Sequence, residues 1–110
     1  MAVTSEVVHC YSELAMRVSL MAELARGKEW GRLPELEAQC SALVDRLKVL
    51  QPMEMLDPAQ YYEMRRLIAR IRVDQDEVAG LVTPQIEELI ARMSSLHQHK
   101  TLGKAYGPPH

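Results

Sequence analysis

The sequence predicts an all-α protein, an antiparallel bundle of three long helices with an extended third helix and a short C-terminal tail. Three observations favour this fold. Apolar residues recur at alternating spacings of three and four over three segments, the 110 residues include five glycines, and most of the six prolines lie at segment edges. A chain of this length forms one domain, so we assign residues 1–100 to the helical domain and residues 101–110 to the tail.

The first helix is predicted to run from Ser5 to Arg26. Thr4 or Ser5 is expected as its N-cap, and Gly27 as the C′ residue that follows it. Between these ends, apolar residues form a stripe that is wide enough to pack against two neighbouring helices. It comprises Val7, Val8, Tyr11, Leu14, Ala15, Val18, Met21, Ala22 and Ala25.

The second helix is expected to begin between Glu29 and Leu33 and to end at Gln51, because Pro52 follows. Pro34 is best accommodated in its first turn, where few backbone N–H groups have a partner within the helix. The apolar stripe of this helix comprises Leu33, Leu36, Cys40, Leu43, Leu47 and Leu50.

The third helix is predicted to begin at Pro58, since Asp57 followed by proline is a strong start signal. Its stripe continues past Thr83-Pro84, and two interpretations of that proline stay open. One is a single long helix that is kinked near Pro84 and reaches about Gln98. The other is a break, with Thr83 as the N-cap of a fourth helix. The predicted core comprises Leu14, Val18, Leu36, Cys40, Leu43, Leu67, Ile68 and Ile71.

Composition and motifs argue against several classes of protein. The net charge of −2 gives no general attraction to nucleic acid, and no apolar run reaches the ~18 residues of a membrane span. We therefore expect a cytoplasmic protein with no nucleic-acid partner and no membrane insertion. The third helix contains four arginines, Arg65, Arg66, Arg70 and Arg72. We interpret them as a face exposed to solvent, in preference to a contact with nucleic acid or with an acidic patch of a protein.

The sequence also offers no constellation for catalysis. His97 and His99 are two residues apart on a helix and do not share a face, so a metal site is not expected. Cys10 and Cys40 lie in apolar helical segments and are interpreted as core thiols. We expect neither an enzyme nor a cofactor.

The methionines and the single tryptophan each have two interpretations. Met16, Met21, Met64 and Met93 at helical spacing suit core filling, or alternatively a surface that accepts varied partner helices. Trp30 either closes one end of the bundle or is an exposed anchor.

The lengths of the helices give the main functional indication. The first two helices are ~33 Å long, whereas a helix from Pro58 to Gln98 is near ~60 Å. The second half of the third helix would therefore extend beyond its neighbours, and its apolar residues would need a partner or a second copy of the chain. The predicted partner-binding residues are Val82, Ile86, Leu89, Ile90, Met93 and Leu96.

Two stretches of the chain carry a resemblance to a known family. They are Leu24-Ala25-Arg26-Gly27-Lys28-Glu29-Trp30, followed by Leu33, Leu36-Glu37, Leu43 and Leu47, and Leu102-Gly103-Lys104-Ala105-Tyr106-Gly107. The first stretch resembles the first helical hairpin of the FliT family of flagellar export chaperones, and the second resembles the C-terminal motif of the same family.

This resemblance implies a cytoplasmic helical chaperone that binds the C-terminal segment of the filament-cap protein FliD and delivers it to the type III export apparatus. It also implies contacts with the export ATPase and the export gate, and for some relatives with a flagellar transcription activator. The carried-over motif residues are Leu102, Ala105 and Tyr106. Because the sequence ends soon after them, the family's self-masking C-terminal helix is not expected. The alternative is a helical adaptor or regulatory module that dimerises or binds the activator without a delivery role.

Overall fold

The computed structural model describes the backbone of residues 5–106 and the side chains of residues 5–97. Helix α1 spans Glu6–Arg26, a single 3₁₀ turn spans Trp30–Arg32, helix α2 spans Leu33–Leu50, and helix α3 spans Pro58–Tyr106. All regular secondary structure in this range is helical, so the predicted all-α class is confirmed. In this part of the chain, no helix has an apolar stretch that could cross a membrane.

Helix α1 is the central element of the fold. It packs against both α2 and α3, whereas α2 and α3 make no close backbone contact within the described residues. The structure thus differs from a closed bundle in which every helix touches the other two. Instead, α2 and α3 both pack against α1.

Contacts between side chains give the directions of the helices. Near the start of α1, Arg46 of α2 pairs with Glu6 at 3.6 Å. Farther along α1, Arg17 donates through Nε to the side-chain oxygen of Gln39 at 2.9 Å. Residue numbers rise in α1 as they fall in α2, so these two helices run in opposite directions.

Helix α3 runs in the same direction as α1. The linker before α3 contacts the first turn of α1 through Glu54 and Ser5. At the far end of α1, Arg26 pairs with Glu77 of α3 at 3.1 Å. α1 therefore ends beside Glu77, although α3 continues for many more residues.

The core lies on the two sides of α1. One cluster joins all three helices, and a smaller one closes the end of α1 near the 3₁₀ turn. The first comprises Val7, Cys10, Leu14, Ala15, Val18, Leu47, Leu67 and Ile71, and the second Leu24, Leu33 and Leu36. The alanines of α1 are small enough to let a neighbouring helix approach closely.

The predicted core is correct at five of eight positions, since Leu14, Val18, Leu36, Leu67 and Ile71 are buried. The other three, Cys40, Leu43 and Ile68, are half-buried. A closed bundle would cover these side chains by a contact between α2 and α3. A close approach of the α2 and α3 backbones is absent from the described part of the molecule, so these side chains keep one side open.

The start of α1 is held by the linker between α2 and α3. Ser5 is the N-cap, because its hydroxyl oxygen accepts the N–H of Val8 at 3.1 Å. The same hydroxyl donates to the carboxylate of Glu54, which also accepts the Val7 N–H at 3.3 Å. A carboxylate at this position is stabilised by the partial positive charge of the helix N-terminus.

The left-handed residue that follows α1 lies one position later in the chain than the sequence indicated. Lys28, with φ 60°, is the left-handed C′ residue, whereas Gly27 has an ordinary φ of −83°. The N–H groups of Lys28 and Glu29 donate to the carbonyls of Ala25 and Leu24 at 3.1 and 2.8 Å, which is the Schellman pattern. The prediction of Gly27 at C′ was therefore wrong.

The start of α3 agrees with the sequence prediction. Asp57 is the N-cap, since its Oδ1 accepts the Gln60 N–H at 2.8 Å while the Gln60 side chain accepts the Asp57 N–H at 3.0 Å. This reciprocal pair is a capping box. α2 likewise has Pro34 in its first turn.

Helix α3 passes through Pro84 without a break, so the alternative of a fourth helix from Thr83 was wrong. A kink at Pro84 stays a prediction. The helix also continues to Tyr106, beyond the expected end near Gln98, and it includes residues 101–106 that we assigned to the tail. The division into a helical domain and a tail stays a prediction.

Replacing Lys28 with Gly should stabilise the protein by ~0.5–1 kcal/mol, because glycine adopts the left-handed conformation without a Cβ clash. Gly27→Ala is the matched variant. A Cβ at Gly27 would lie 3.6 Å from its nearest neighbour, the Glu23 carbonyl oxygen, so this change should be neutral or slightly stabilising. Urea unfolding measures both. Strong destabilisation by Gly27→Ala, with no gain from Lys28→Gly, would place the left-handed residue at Gly27 instead.

Candidate partner-binding surface

Five large apolar side chains of α3 are exposed beyond the end of α1. We call these residues the distal stripe: Ile86 (50% exposed), Leu89 (56%), Ile90 (56%), Met93 (60%) and Leu96 (67%). Val82, which was predicted with them, is instead half-buried against the core cluster of Leu24, Leu33 and Leu36. Whether these residues bind a partner stays a prediction.

The distal stripe lies on the same face of α3 that packs against α1 farther back. Leu67 and Ile71 are buried on that face. Val78 follows Ile71 by seven residues, and Val82 and Ile86 follow at intervals of four, so all of them lie on one face of the helix. Because α1 ends beside Glu77, the face loses the cover of α1 there, and beyond Val82 its large apolar side chains are exposed in the described residues. Leu96 lies 19 residues beyond Glu77, a distance of ~28 Å along α3.

A groove leads into the distal stripe from the body of the molecule. It lies between α2 and α3, with α1 as its floor, and its volume is about 720 Å³. Apolar side chains from the three helices and the 3₁₀ turn line most of it. These are Val18 and Met21, Trp30, Leu33, Pro34 and Cys40, and Val78, Ala79, Val82, Ile86 and Leu89.

The groove has few charges. Glu37 of α2 contributes to its lining, and on α3 the carboxylate of Glu88 pairs with Arg92 at 2.5 Å. The two α3 charges therefore neutralise each other at the point where the groove meets the distal stripe. An apolar surface with a neutralised charged edge suits the apolar face of a partner helix.

Sulfur and aromatic side chains fill the inner end of the groove. Trp30 packs against the smaller core cluster and is half-buried, which agrees with its interpretation as the residue that closes the bundle end. Cys40 Sγ lies 3.9 Å from Met21 Sδ, and burial raises the pKa of the Cys40 thiol. A thiol with a raised pKa stays protonated near neutral pH and is a poor nucleophile.

The four methionines interpreted from their spacing fall into two groups. Met21 and Met64 are half-buried and pack against the core clusters, as filler residues do. Met16 and Met93 are 62% and 60% exposed, so the core interpretation was wrong for these two. Their helical spacing alone could not separate the groups, because each helix has one face toward its neighbours and another toward water.

The remaining candidates from the sequence are the metal-ligating residue types, the arginines of α3 and the tail motif. Within residues 5–97, no group of three His, Cys, Asp or Glu side chains is placed to hold a metal ion. Arg66 pairs with Glu63 at 2.6 Å, and its hydrogen bond lowers the pKa of that carboxyl. The tail-motif residues Leu102, Ala105 and Tyr106 belong to α3, but their side chains lie outside the described ones.

A comparison with models of protein families matches residues 8–108 to the family described as flagellar protein FliT. The matched range includes both stretches on which the sequence resemblance was based. No curated protein and no solved structure gives a match.

The double substitution Leu89→Ala plus Met93→Ala should leave the melting temperature nearly unchanged, because both side chains are already more than half exposed. Ile71→Ala is the matched control, since Ile71 lies on the same face of α3 under the cover of α1. It should cost ~2–5 kcal/mol of unfolding free energy. Calorimetry of the three proteins tests this, and a large loss of stability in the double variant would show that the distal stripe is part of the core.

Proposed function

The chain belongs to the FliT family of flagellar proteins, and we propose that it is a cytoplasmic chaperone of flagellar type III export. Its cargo would be the C-terminal segment of the filament-cap protein FliD. By covering this segment, the chaperone would keep FliD unassembled until delivery to the export apparatus. The function needs no reaction and no cofactor, and we propose neither.

One observation supports this proposal most directly. The distal stripe exposes five large apolar side chains on one face of a single helix, and the groove continues that face into the body of the protein. Contiguous apolar surface of this kind marks an interaction site in a soluble protein. The groove lies open between two helices and continues into the distal stripe, an arrangement that suits the apolar face of an amphipathic helix.

The exposed stripe would supply part of the free energy of a chaperone complex. Full burial of a large aliphatic side chain contributes ~1.5–3 kcal/mol. Because half or more of each stripe residue is exposed, a partner could still bury much of this apolar area. Association costs ~4–15 kcal/mol in lost freedom of motion, so contacts in the groove would have to contribute as well.

Delivery would need further contacts. From the sequence resemblance we propose that the complex contacts the export ATPase and the export gate. The rival function is an adaptor that dimerises through the distal stripe or binds a flagellar transcription activator, with no delivery role. The same exposed face could serve either function, so the choice depends on what binds it.

The test is binding of the purified C-terminal segment of FliD, measured by calorimetry and by co-elution. Leu89→Ala plus Met93→Ala should weaken binding at least about tenfold. Val73→Ala is the matched control, because Val73 is 68% exposed on the opposite face of α3 and should have no effect. Absence of a complex with the intact chain would contradict the chaperone function. Self-association through the stripe, in place of FliD binding, would favour the rival.

A further inference from the structure

The wall that α2 contributes to the groove contains one acidic side chain, Glu37. Leu33 lies four residues before it and Cys40 lies three residues after it, so the three residues share one side of α2. All three line the groove. Glu37 therefore lies among apolar side chains, on the side of α2 that a helix in the groove would contact.

Glu37 has no cation paired with it. In the part of the chain whose side chains are described, its carboxylate forms no ion pair. Burial is the main cause of the raised pKa of the Cys40 thiol, while Arg17 lowers this pKa and Glu37 raises it. Both charges therefore act on the groove, but Arg17 already binds the Glu13 carboxylate at 2.6 Å and the Gln39 side chain at 2.9 Å.

The opposite wall of the groove supplies no free cation either. Val82 packs against the core cluster that contains Leu33. Because α2 and α3 run in opposite directions, Glu37 lies at about the level of Val78 on α3. Arg92 is the cation in the groove lining, but it lies 14 residues beyond Val78, or ~21 Å along the helix, and it is already paired on α3. Within the described residues, Glu37 is thus the charge of the lining that lacks a counter-ion.

A helix bound in the groove would remove water from Glu37. An ionised carboxylate that loses water without a counter-ion opposes binding, whereas a cation placed beside it compensates for the lost hydration. A second carboxylate at the same position would be repelled, which adds to the discrimination between partners. The groove therefore favours a helix that has positive charge at the edge of its apolar face.

We propose that Glu37 selects cargo helices that carry a lysine or arginine at the edge of the apolar face. This inference rests on the proposed function, because it concerns the cargo of the same groove. The cation lies beside Glu37, and the apolar residues of the cargo contact the α3 wall and continue onto the distal stripe. Leu89 lies 11 residues beyond the level of Glu37, so ~16 Å of α3 separates the cation from the cargo residues that contact Leu89.

The experiment uses the full chain and three fluorescein-labelled helical peptides of 18 residues without tryptophan. They share a leucine face, and the row of residues beside that face is lysine in one, glutamine in the second and glutamate in the third. Fluorescence anisotropy should show that the lysine peptide binds at least about tenfold more tightly than the glutamate peptide, with a smaller difference at high salt. Equal binding of the three peptides, or no binding of the lysine peptide, would overturn the proposal.

Variants assign the preference to one residue. Glu37→Gln should make the affinities for the lysine and glutamate peptides nearly equal, and Glu37→Lys should reverse their order. Glu35→Lys is the matched control, because it makes the same change in net charge on a different side of α2, outside the groove lining. It should keep the preference for the lysine peptide. A preference that persists in Glu37→Gln, or that Glu35→Lys also abolishes, would overturn the proposal.

Trp30 reports where the peptides bind. It is the single tryptophan of the chain and it lines the groove, so the lysine peptide should shift its emission. Binding of the lysine peptide without this shift would place the peptide elsewhere on the molecule and would overturn the proposal.

Binding of the C-terminal segment of FliD separates this inference from the proposed function. Glu37→Lys should weaken that binding about tenfold, and Glu35→Lys should leave it unchanged. Equal binding of the segment by the intact chain and by Glu37→Lys would overturn the role of Glu37 and leave the chaperone function in place. If the intact chain selects the lysine peptide through Glu37 but does not bind FliD, the result would contradict the chaperone function and support the selection by Glu37.

Discussion

The length of α1 is the constraint on which the rest of the structure depends. α2 and α3 both pack on α1 and make no close backbone contact with each other in the described range, so α1 provides the main cover for the apolar face of α3, and Val82 also packs against Leu24, Leu33 and Leu36. α1 has 21 residues and α3 has 49. At ~1.5 Å per residue, α3 is ~42 Å longer than its support. The distal stripe is exposed because α1 ends beside Glu77, not because the sequence of α3 changes there.

The same arrangement produces the groove. Two helices that share a support, without close approach of their own backbones, leave a channel between them, and here the channel opens onto the uncovered face of α3. Cargo that enters it would supply the contacts that a closed bundle would make internally. The partly buried state of Cys40 and Val82 fits this description, since each contacts a core cluster on one side and lines the groove on the other. In the proposed function, partner binding is therefore a consequence of incomplete packing, with a core at one end of the molecule and an uncovered face of α3 at the other.

Much of the fold follows from periodicity and from capping residues. The stripes of α1 and α2, the Asp57-Pro58 start of α3 and the exposed distal stripe were all predicted correctly. What the sequence could not provide depends on contacts between distant residues. The capping of α1 by Glu54 joins residues far apart in the chain, and the half-burial of Cys40, Leu43 and Ile68 depends on a missing helix contact. The left-handed residue was assigned to Gly27 because glycine is the usual choice, whereas the hydrogen bonds place it at Lys28.

We infer that α1 stabilises the first half of α3 and that residues 84–97 have little tertiary cover in the free protein. Amide hydrogen exchange, followed by mass spectrometry, measures this difference between the two segments. In the free protein, amides of residues 84–97 should exchange at least about a hundredfold faster than those of residues 64–78, which pack along α1. Addition of cargo should slow exchange in residues 84–97 and leave residues 64–78 nearly unchanged. Equal protection of the two segments in the free protein would contradict the account, because it would show that the distal half of α3 is already covered.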